Sequence, residues 1–178
     1  MLNEKELGDY IDRRFTRALF RLEILDLYDV SSNGDEYSRY IAGETKPNLE
    51  RNKPWMEHIR GEVARGLHTY RVHVVRSPLN DYLRFECEWG YVYNAQAGEH
   101  IRILDLAERP RPAELIDEDF WLIDEREALR MHYSEDGKYV GAERTPDEML
   151  PRYLAAKDAA WSGAVGFADY WKAHPGYW

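Results

Sequence analysis

Cysteine is almost absent: the 178 residues include only Cys87. A single thiol cannot form a disulfide within the chain and cannot build a thiolate cage around a metal ion. Cys87 falls inside a predicted helix, so we expect a buried, unreactive thiol and not a nucleophile.

Long hydrophobic runs and an excess of positive charge are also missing. No apolar stretch is long enough to span a bilayer, and the N-terminus has no signal-peptide pattern, so we expect a cytoplasmic protein with no membrane association. The 24 Lys and Arg residues are outnumbered by 33 Asp and Glu residues, which gives a formal net charge of −9. That field repels phosphate and disfavours direct binding to nucleic acid.

One local basic cluster is the exception, and it consists of Arg13, Arg14, Arg17 and Arg21. The cluster could contact nucleic acid or an acidic partner. A solvated face paired with nearby acids is favoured, because exposed ion pairs of this kind are common and weak.

The familiar catalytic and cofactor motifs are absent. The sequence has no phosphate-binding glycine loop, no dinucleotide fingerprint, no Gly-x-Ser-x-Gly elbow and no His-Glu-x-x-His motif. The six histidines lack zinc-ligand spacing. His73 and His132 lie on predicted strands, where we expect each to be hydrogen-bonded within the fold. No cofactor is predicted.

The strongest positive pattern runs from Thr69 to Leu106 and predicts a βαβ unit. Apolar residues alternate from Tyr70 to Val75, as in a strand. Helical spacing follows, with Ser77 as the expected cap and Pro78 in the first turn. Gly98 ends the helix and a second strand begins near Ile101. Such a crossover joins two parallel strands.

The rest of the chain predicts elements that extend this unit into one α/β domain over residues 1–178. We expect an N-terminal helix over 4–19, a strand from Phe20, a turn over 31–34, a short helix over 35–42, a loop over 44–53, a helix from Pro54, a β-meander after residue 119 and a C-terminal helix. The sheet is mixed, parallel in the middle and antiparallel at one edge, with a core over 20–165. The aromatic tail over 166–178 either folds back onto the body or docks on a second copy in a homodimer.

The expected ligand crevice lies at the carboxyl ends of the parallel strands. The residues predicted to bind a small anion there are Arg76, Ser77, Asp81, Arg84 and Arg102. Arginine beside the free N–H groups of a helix start is suited to an anion. The alternative is an internal network in which Arg84 pairs with Asp81 or Glu88 and only orients the helix.

An acidic group precedes and follows the first strand of the meander, and it comprises Asp117, Glu118, Asp119 and Asp124. Grouped carboxylates can hold Mg²⁺ or act as a paired acid and base. The simpler interpretation, which we favour, is a strand entrance followed by a solvated turn.

Several segments resemble a known family. They are FRLEILDLYDV, RVHVVRSPLNDYLRFE, NAQAGEHIRIL and DFWLID, together with the late Tyr–Ala–Trp helix. From about Phe20 to Trp161 they resemble an actinobacterial domain of unknown function whose members are typically encoded near Xre-type helix-turn-helix regulators. The resemblance implies a partner of that type and brings no established activity.

More remotely, the element order is similar to one half of a phospholipase D-like domain, whose hairpin carries His-x-Lys-(x)₄-Asp. With Asp124 as the hairpin aspartate, Asp117 stands at the histidine position and Asp119 at the lysine position. Two aspartates supply neither the nucleophile nor the cation for phosphate transfer. The resemblance then implies a catalytically inactive scaffold that serves for binding or dimerisation.

Two hypotheses follow. The first is a non-enzymatic cytoplasmic regulatory or interaction protein that partners a helix-turn-helix regulator and senses a small anionic ligand. The alternative is a metal-dependent hydrolase or nuclease that acts on a phosphate ester through Asp117, Asp119 and Asp124.

Overall fold

A computed structural model of the chain describes residues 1–29 and 34–178. Most of the turn expected over 31–34 lies outside this part of the chain. Within it, seven strands form one sheet in the order β6-β5-β4-β1-β2-β3-β7. The strands are β1 (Ala18–Glu23), β2 (His68–Val75), β3 (His100–Asp105), β4 (Phe120–Ile123), β5 (Glu127–Tyr133), β6 (Tyr139–Arg144) and β7 (Val165–Gly166).

The centre of the sheet is parallel. Strand β2 pairs in parallel with β3 and with β1, and Arg21 lies opposite Arg71 in the register. Strands β4, β5 and β6 continue the sheet as antiparallel neighbours on the β1 side. The predicted α/β class, the βαβ unit and the mixed sheet are therefore confirmed. The sheet is antiparallel at both edges and not at one, because β7 also pairs antiparallel with β3.

Seven α-helices cover the sheet in the described part of the chain. They are α1 (Glu4–Asp12), α2 (Glu36–Ile41), α3 (Leu49–Ala64), α4 (Asp81–Phe85), α5 (Val92–Ala97), α6 (Leu150–Gly163) and α7 (Phe167–Ala173). A π-helical segment, Glu86–Tyr91, joins α4 to α5. None of the helices in the described ranges is long and apolar enough to cross a membrane.

Two predicted helix bounds were wrong. The first helix ends at Asp12, not at residue 19, because the chain turns there to enter β1. Helix α3 begins before Pro54: the side chain of Asn48 caps it by accepting from the backbone N–H of Arg51 (3.2 Å), so residues 49–53 are helical and not a loop.

The two faces of the sheet differ in polarity because side chains alternate along each strand. One face is apolar: Phe20, Leu22 and Val72 are fully buried and pack with α6. The opposite face presents charged residues of the same strands, among them Arg21 and Arg71. We call this second surface the polar face.

The aromatic tail folds back onto the body of the domain. Helix α4, the π-helical segment and α5 together form the central helix, residues 81–97. Phe167 and Tyr170 of α7 are buried against β3 and this central helix. The Tyr170 hydroxyl donates to Asp105 Oδ2 at 2.9 Å. Of the two predicted arrangements of the tail, the structure shows this one.

Candidate functional site

A cavity of about 620 Å³ lies over the polar face, a volume within the range of small-molecule sites. Strands β1, β2, β4 and β5 form its floor, while α1, α3 and the π-helical segment form its walls. Gly8 of α1 lines the cavity and is exposed, so it marks an open side.

Aromatic rings form much of the cavity lining. They belong to Tyr28, Trp55, Tyr82, Phe85, Trp89, Tyr93, Trp121, Tyr133 and Tyr139. Several contact one another, for example Tyr28 with Tyr133, edge to face with ring centroids 5.1 Å apart. Such a lining offers flat apolar surface to a planar ligand.

Arg71 is the best-paired charge on the polar face. Its Nε donates to Glu99 Oε1 at 2.7 Å, and its Nη1 donates to both carboxylate oxygens of Glu23 at 3.0 and 3.1 Å. Burial opposes the charge of Arg71, but these two carboxylates raise its pKa well above the usual value. The three residues therefore form a compact buried ion-pair network.

Arg21 lies beside Arg71 with much weaker pairing. The side chain is buried, its nearest carboxylate contact is Glu99 Oε1 at 3.8 Å, and its Nε has no hydrogen-bond acceptor among the described residues. The guanidinium carbon lies 4.6 Å from the Trp121 ring centroid and 5.8 Å from that of Trp55. Burial, followed by repulsion from Arg71, lowers the pKa of Arg21.

A hydrogen-bonded group behind the two arginines includes His73. Its Nδ1 lies 2.7 Å from the Tyr91 hydroxyl and its Nε2 lies 2.9 Å from the carbonyl oxygen of Leu25. The Tyr91 hydroxyl also reaches Glu23 Oε2 at 3.0 Å. Burial lowers the pKa of His73, which favours the neutral ring. The expectation that His73 is satisfied within the fold is confirmed.

The π-helical segment contributes to the cavity wall. Glu86, Trp89 and Gly90 all line the cavity. A Cβ at Gly90 would lie 3.3 Å from Glu86 Oε1, so glycine leaves room for this carboxyl group. The indole Nε1 of Trp89 is buried and has no acceptor among the described residues. Single π-turns within helices often occur at functional sites.

Glu86 and Glu23 have opposite pKa shifts within this cavity. Burial, followed by repulsion from Glu23, raises the pKa of Glu86 to about 7. Burial is the largest single influence on Glu23 and acts against its ionised form, but Arg71, His73, Arg21 and the Tyr91 hydroxyl together outweigh it, and the pKa of Glu23 is lowered. Near neutral pH, Glu23 is therefore ionised while Glu86 titrates.

Glu86→Gln is expected to change how stability depends on pH. Because folding raises the Glu86 pKa from 4.5 to about 7, the folded state binds the extra proton between these values and loses that stabilisation as the pH rises. Glutamine keeps an acceptor for the Tyr82 hydroxyl (2.8 Å) and does not ionise. From pH 4.5 to 8 the variant should gain about 3 kcal/mol relative to wild type.

Urea denaturation at several pH values measures this gain. Glu114→Gln, an exposed substitution with the same charge change, serves as the control. A difference between wild type and Glu86→Gln that stays constant from pH 4.5 to 8 would contradict the raised pKa.

The residues of the predicted crevice do not line this cavity. The helix cap is Asn80 and not Ser77: the Asn80 side chain accepts from Leu83 N at 2.8 Å. The backbone N–H of Ser77, which we expected to face a bound anion, donates instead to Asp105 Oδ1 at 3.0 Å. Arg76 is exposed, and its only hydrogen-bond contact in the described ranges is with the Leu106 carbonyl at 3.4 Å.

The other predicted ligand residues point to separate neighbours. Arg84 Nη1 lies 3.8 Å from Asp81 Oδ1 within α4, in agreement with the alternative that these two residues form an internal pair. Arg102 donates to the carbonyl of Trp161 at 2.9 Å and stacks on that ring, on the α6 side of the sheet. The structure therefore does not bring the five residues together.

The acidic group is also dispersed. Asp119 and Asp124 flank β4, and five residues of extended chain span about 16 Å. Asp119 accepts from the Tyr28 hydroxyl and from Ile24 N, whereas Asp117 pairs with Arg111 at 2.9 Å. Within the described residues, no group of three or more His, Cys, Asp or Glu side chains is arranged to hold a metal ion.

The predicted basic cluster likewise separates. Arg14 pairs with Glu127 at 3.5 Å, Arg17 donates to the carbonyl of Asp124, and Arg21 is buried on the polar face. Cys87 is buried, as predicted, and burial raises the pKa of its thiol. His132 pairs with Glu143 and does not meet His73.

The sequence analysis named Arg21 only as part of the basic cluster, and it assigned none of Arg21, Glu23, Glu86 and Trp89 to this cavity. A signal was present: Arg21 and Glu23 in β1, like Arg71 and His73 in β2, repeat every second residue within central strands. Central parallel strands are covered on both faces, so charges at this spacing indicate a buried polar surface.

The comparisons with known proteins confirm the predicted membership of a domain family of unknown function. No curated protein matches the chain. A family model, "Domain of unknown function (DUF6879)", matches residues 5–172, which is most of the chain and includes every cavity residue named above. The chain therefore belongs to the family DUF6879, a domain of unknown function.

Proposed function

We propose that this domain binds a small organic molecule in the cavity over the polar face and acts as a non-enzymatic regulatory or interaction protein. The observation that carries the proposal is the pair of buried N–H groups, Arg21 Nε and Trp89 Nε1. Both belong to residues that line the cavity, and neither has an acceptor among the described residues. Leaving such donors unpaired is costly, and a ligand that shifts these two side chains on entering the cavity would supply the acceptors.

The surroundings of these donors support a ligand site over an ordinary packing defect. The cavity is large enough for a bicyclic molecule, and it combines aromatic walls with a few charged groups. Glu23, Arg71 and Tyr91 hold one another in place, so the polar surface is organised in advance.

A regulatory partner is the second part of the proposal. It rests on the resemblance to family members encoded near helix-turn-helix regulators, and a homodimer and a cytoplasmic location belong to the same prediction. The relation to a phospholipase D-like half also stays a prediction. Size-exclusion chromatography of the chain with a helix-turn-helix regulator from a neighbouring gene tests the partner.

The metal-dependent hydrolase hypothesis has no comparable support. Asp119 and Asp124 are each occupied by hydrogen bonds within the fold, at opposite ends of β4. No observation favours this hypothesis, and it stays a prediction.

Blocking the cavity tests the ligand-binding proposal. Gly8 lies at the open side, and no atom lies within 4 Å of a Cβ built there, so Gly8→Trp adds a ring at the entrance without disturbing the buried charges. Ala64→Trp places the same ring on an exposed part of α3 outside the cavity. Both variants and wild type are screened by thermal melting against a metabolite library.

We expect at least one compound to raise the melting temperature of wild type and of Ala64→Trp by about 5 °C at a hundredfold excess over its Kd, and to leave Gly8→Trp unchanged. A library in which no compound stabilises wild type, or in which every compound stabilises Gly8→Trp equally, would contradict binding in this cavity.

A further inference from the structure

Arg21 and Arg71 lie directly opposite each other on neighbouring parallel strands and project onto the same polar face. Two guanidinium groups placed in this way require two sets of acceptors. The fold supplies one set: Glu23 bonds to Arg71 through both oxygens, and Glu99 Oε1 accepts from Arg71 Nε at 2.7 Å. Arg71 therefore takes three of the four oxygens of these two carboxylates, and Glu99 Oε2 accepts no hydrogen bond among the described residues.

Arg21 is left with an incomplete set of partners. Its closest ion-pair distance is 3.8 Å, to the oxygen of Glu99 that already accepts from Arg71. Only 8% of the Arg21 surface is exposed, and its buried Nε has no acceptor in the described ranges. A buried guanidinium that lacks its own carboxylate is unfavourable in an isolated domain.

Two aromatic rings lie near the guanidinium of Arg21. Trp121 lies against the guanidinium at 4.6 Å, and Trp55 lies farther off at 5.8 Å. Rings that stack on a guanidinium leave its N–H edge available to an oxygen in the guanidinium plane. Arg21 lines the cavity and keeps 8% of its surface exposed, so a molecule inside the cavity can contact the guanidinium.

We propose that the ligand of this cavity is a planar monocarboxylate, whose carboxylate binds Arg21 and whose ring lies among the cavity aromatics. The inference rests on the proposed function and names the chemical class of its ligand. The indole N–H of Trp89 is the second anchor and donates to a polar atom of the ligand body.

A single negative charge fits the local field better than two. Glu23 and Glu62 also line the cavity, and Glu99 lies behind the arginines. Together they repel a dianion such as a phosphate monoester more strongly than a monocarboxylate, and a single carboxylate can still bond to the guanidinium of Arg21. A neutral ligand would leave the Arg21 charge unpaired.

Matched naphthalene probes test the class of ligand. Naphthalene-2-carboxylate, naphthalene-2-carboxamide and 2-naphthyl phosphate share one planar body and differ in the charge of one substituent. Their Kd values are measured by isothermal titration calorimetry at pH 8 with wild type, Arg21→Gln and Arg21→Lys. Arg109→Gln, an exposed arginine outside the cavity, is the control variant.

We expect the carboxylate to bind wild type at least tenfold more tightly than the amide and more tightly than the phosphate. Arg21→Gln should lose this tenfold preference by weakening the carboxylate alone. Arg21→Lys should retain part of the preference, and Arg109→Gln should retain all of it. Measuring three probes on each variant separates loss of the charge from loss of the fold, because a misfolded variant would also lose the amide.

Equal affinity for carboxylate and amide, a preference for the phosphate, or a preference that survives in Arg21→Gln would overturn the inference. It also fails if no naphthalene probe binds while the metabolite screen yields a compound blocked by Gly8→Trp; the proposed function then stands. If neither experiment detects binding, the proposed function itself is wrong.

Discussion

Asp124→Ala is expected to destabilise the domain by about 4 kcal/mol, since it removes several hydrogen bonds at once. One carboxylate accepts from the backbone N–H groups of Thr16, Arg17 and Ala18, and from the Thr16 hydroxyl. Asp124 also has a left-handed backbone with φ of 54°, which alanine adopts less readily than aspartate or asparagine. Alanine therefore leaves three N–H groups without this acceptor and adds backbone strain.

Chemical denaturation measures this loss, and two further substitutions define its origin. Asp124→Asn keeps one acceptor oxygen and tolerates the left-handed backbone, so it should lose about half as much stability. Asp117→Ala removes only an exposed pair with Arg111 and should cost less than about 1 kcal/mol. Equal effects for Asp124→Ala and Asp117→Ala would contradict the capping role of Asp124.

The same variants separate a structural role from a metal-binding one. Burial alone would raise the pKa of Asp124, but the hydrogen bonds from Thr16, Ala18 and Arg17 lower it. These bonds already use its oxygens, so Mg²⁺ or Mn²⁺ should leave the melting temperature unchanged. A metal-dependent rise in melting temperature that Asp124→Asn abolishes would support the hydrolase hypothesis.

The central unit was predictable because its signals are local. Alternation in β2, the helical spacing after it and the left-handed Gly98 each lie within a few residues of the element that they specify. The exact helix start was less predictable, because Ser77 and Asn80 are both competent caps. Only the pairing of Ser77 N with Asp105, 28 residues away, decides between them.

The cavity could not be located from the sequence to the same degree. Whether Arg21 and Arg71 face solvent or a covered surface depends on α3 and the central helix, which are brought over the sheet by contacts distant in sequence. The π-helical segment has no distinctive local pattern, since its residues fit an ordinary helix as well. Tertiary packing therefore determines where the candidate site lies.

Arg71→Met should lower the free energy of unfolding far more than Arg21→Met, although the two arginines are neighbours of equal charge. Removing Arg71 leaves Glu23 and Glu99 buried with their main counter-charge lost, and we expect a loss of about 4 kcal/mol. Removing Arg21 deletes a buried guanidinium with no close carboxylate of its own, so stability without ligand should change by less than about 1 kcal/mol or increase.

Urea denaturation of the two variants, without ligand, measures this difference in stability. Adding Glu99→Gln to Arg71→Met should recover part of the stability lost in Arg71→Met, because the carboxylate left without its partner is then removed. A loss of 3 kcal/mol or more in Arg21→Met would mean that the fold needs this arginine for its own stability. A small loss would mean that the fold keeps a buried charge whose partner it does not supply. We would then infer that a ligand in the cavity supplies the partner for Arg21, so that Arg21 serves binding and not folding.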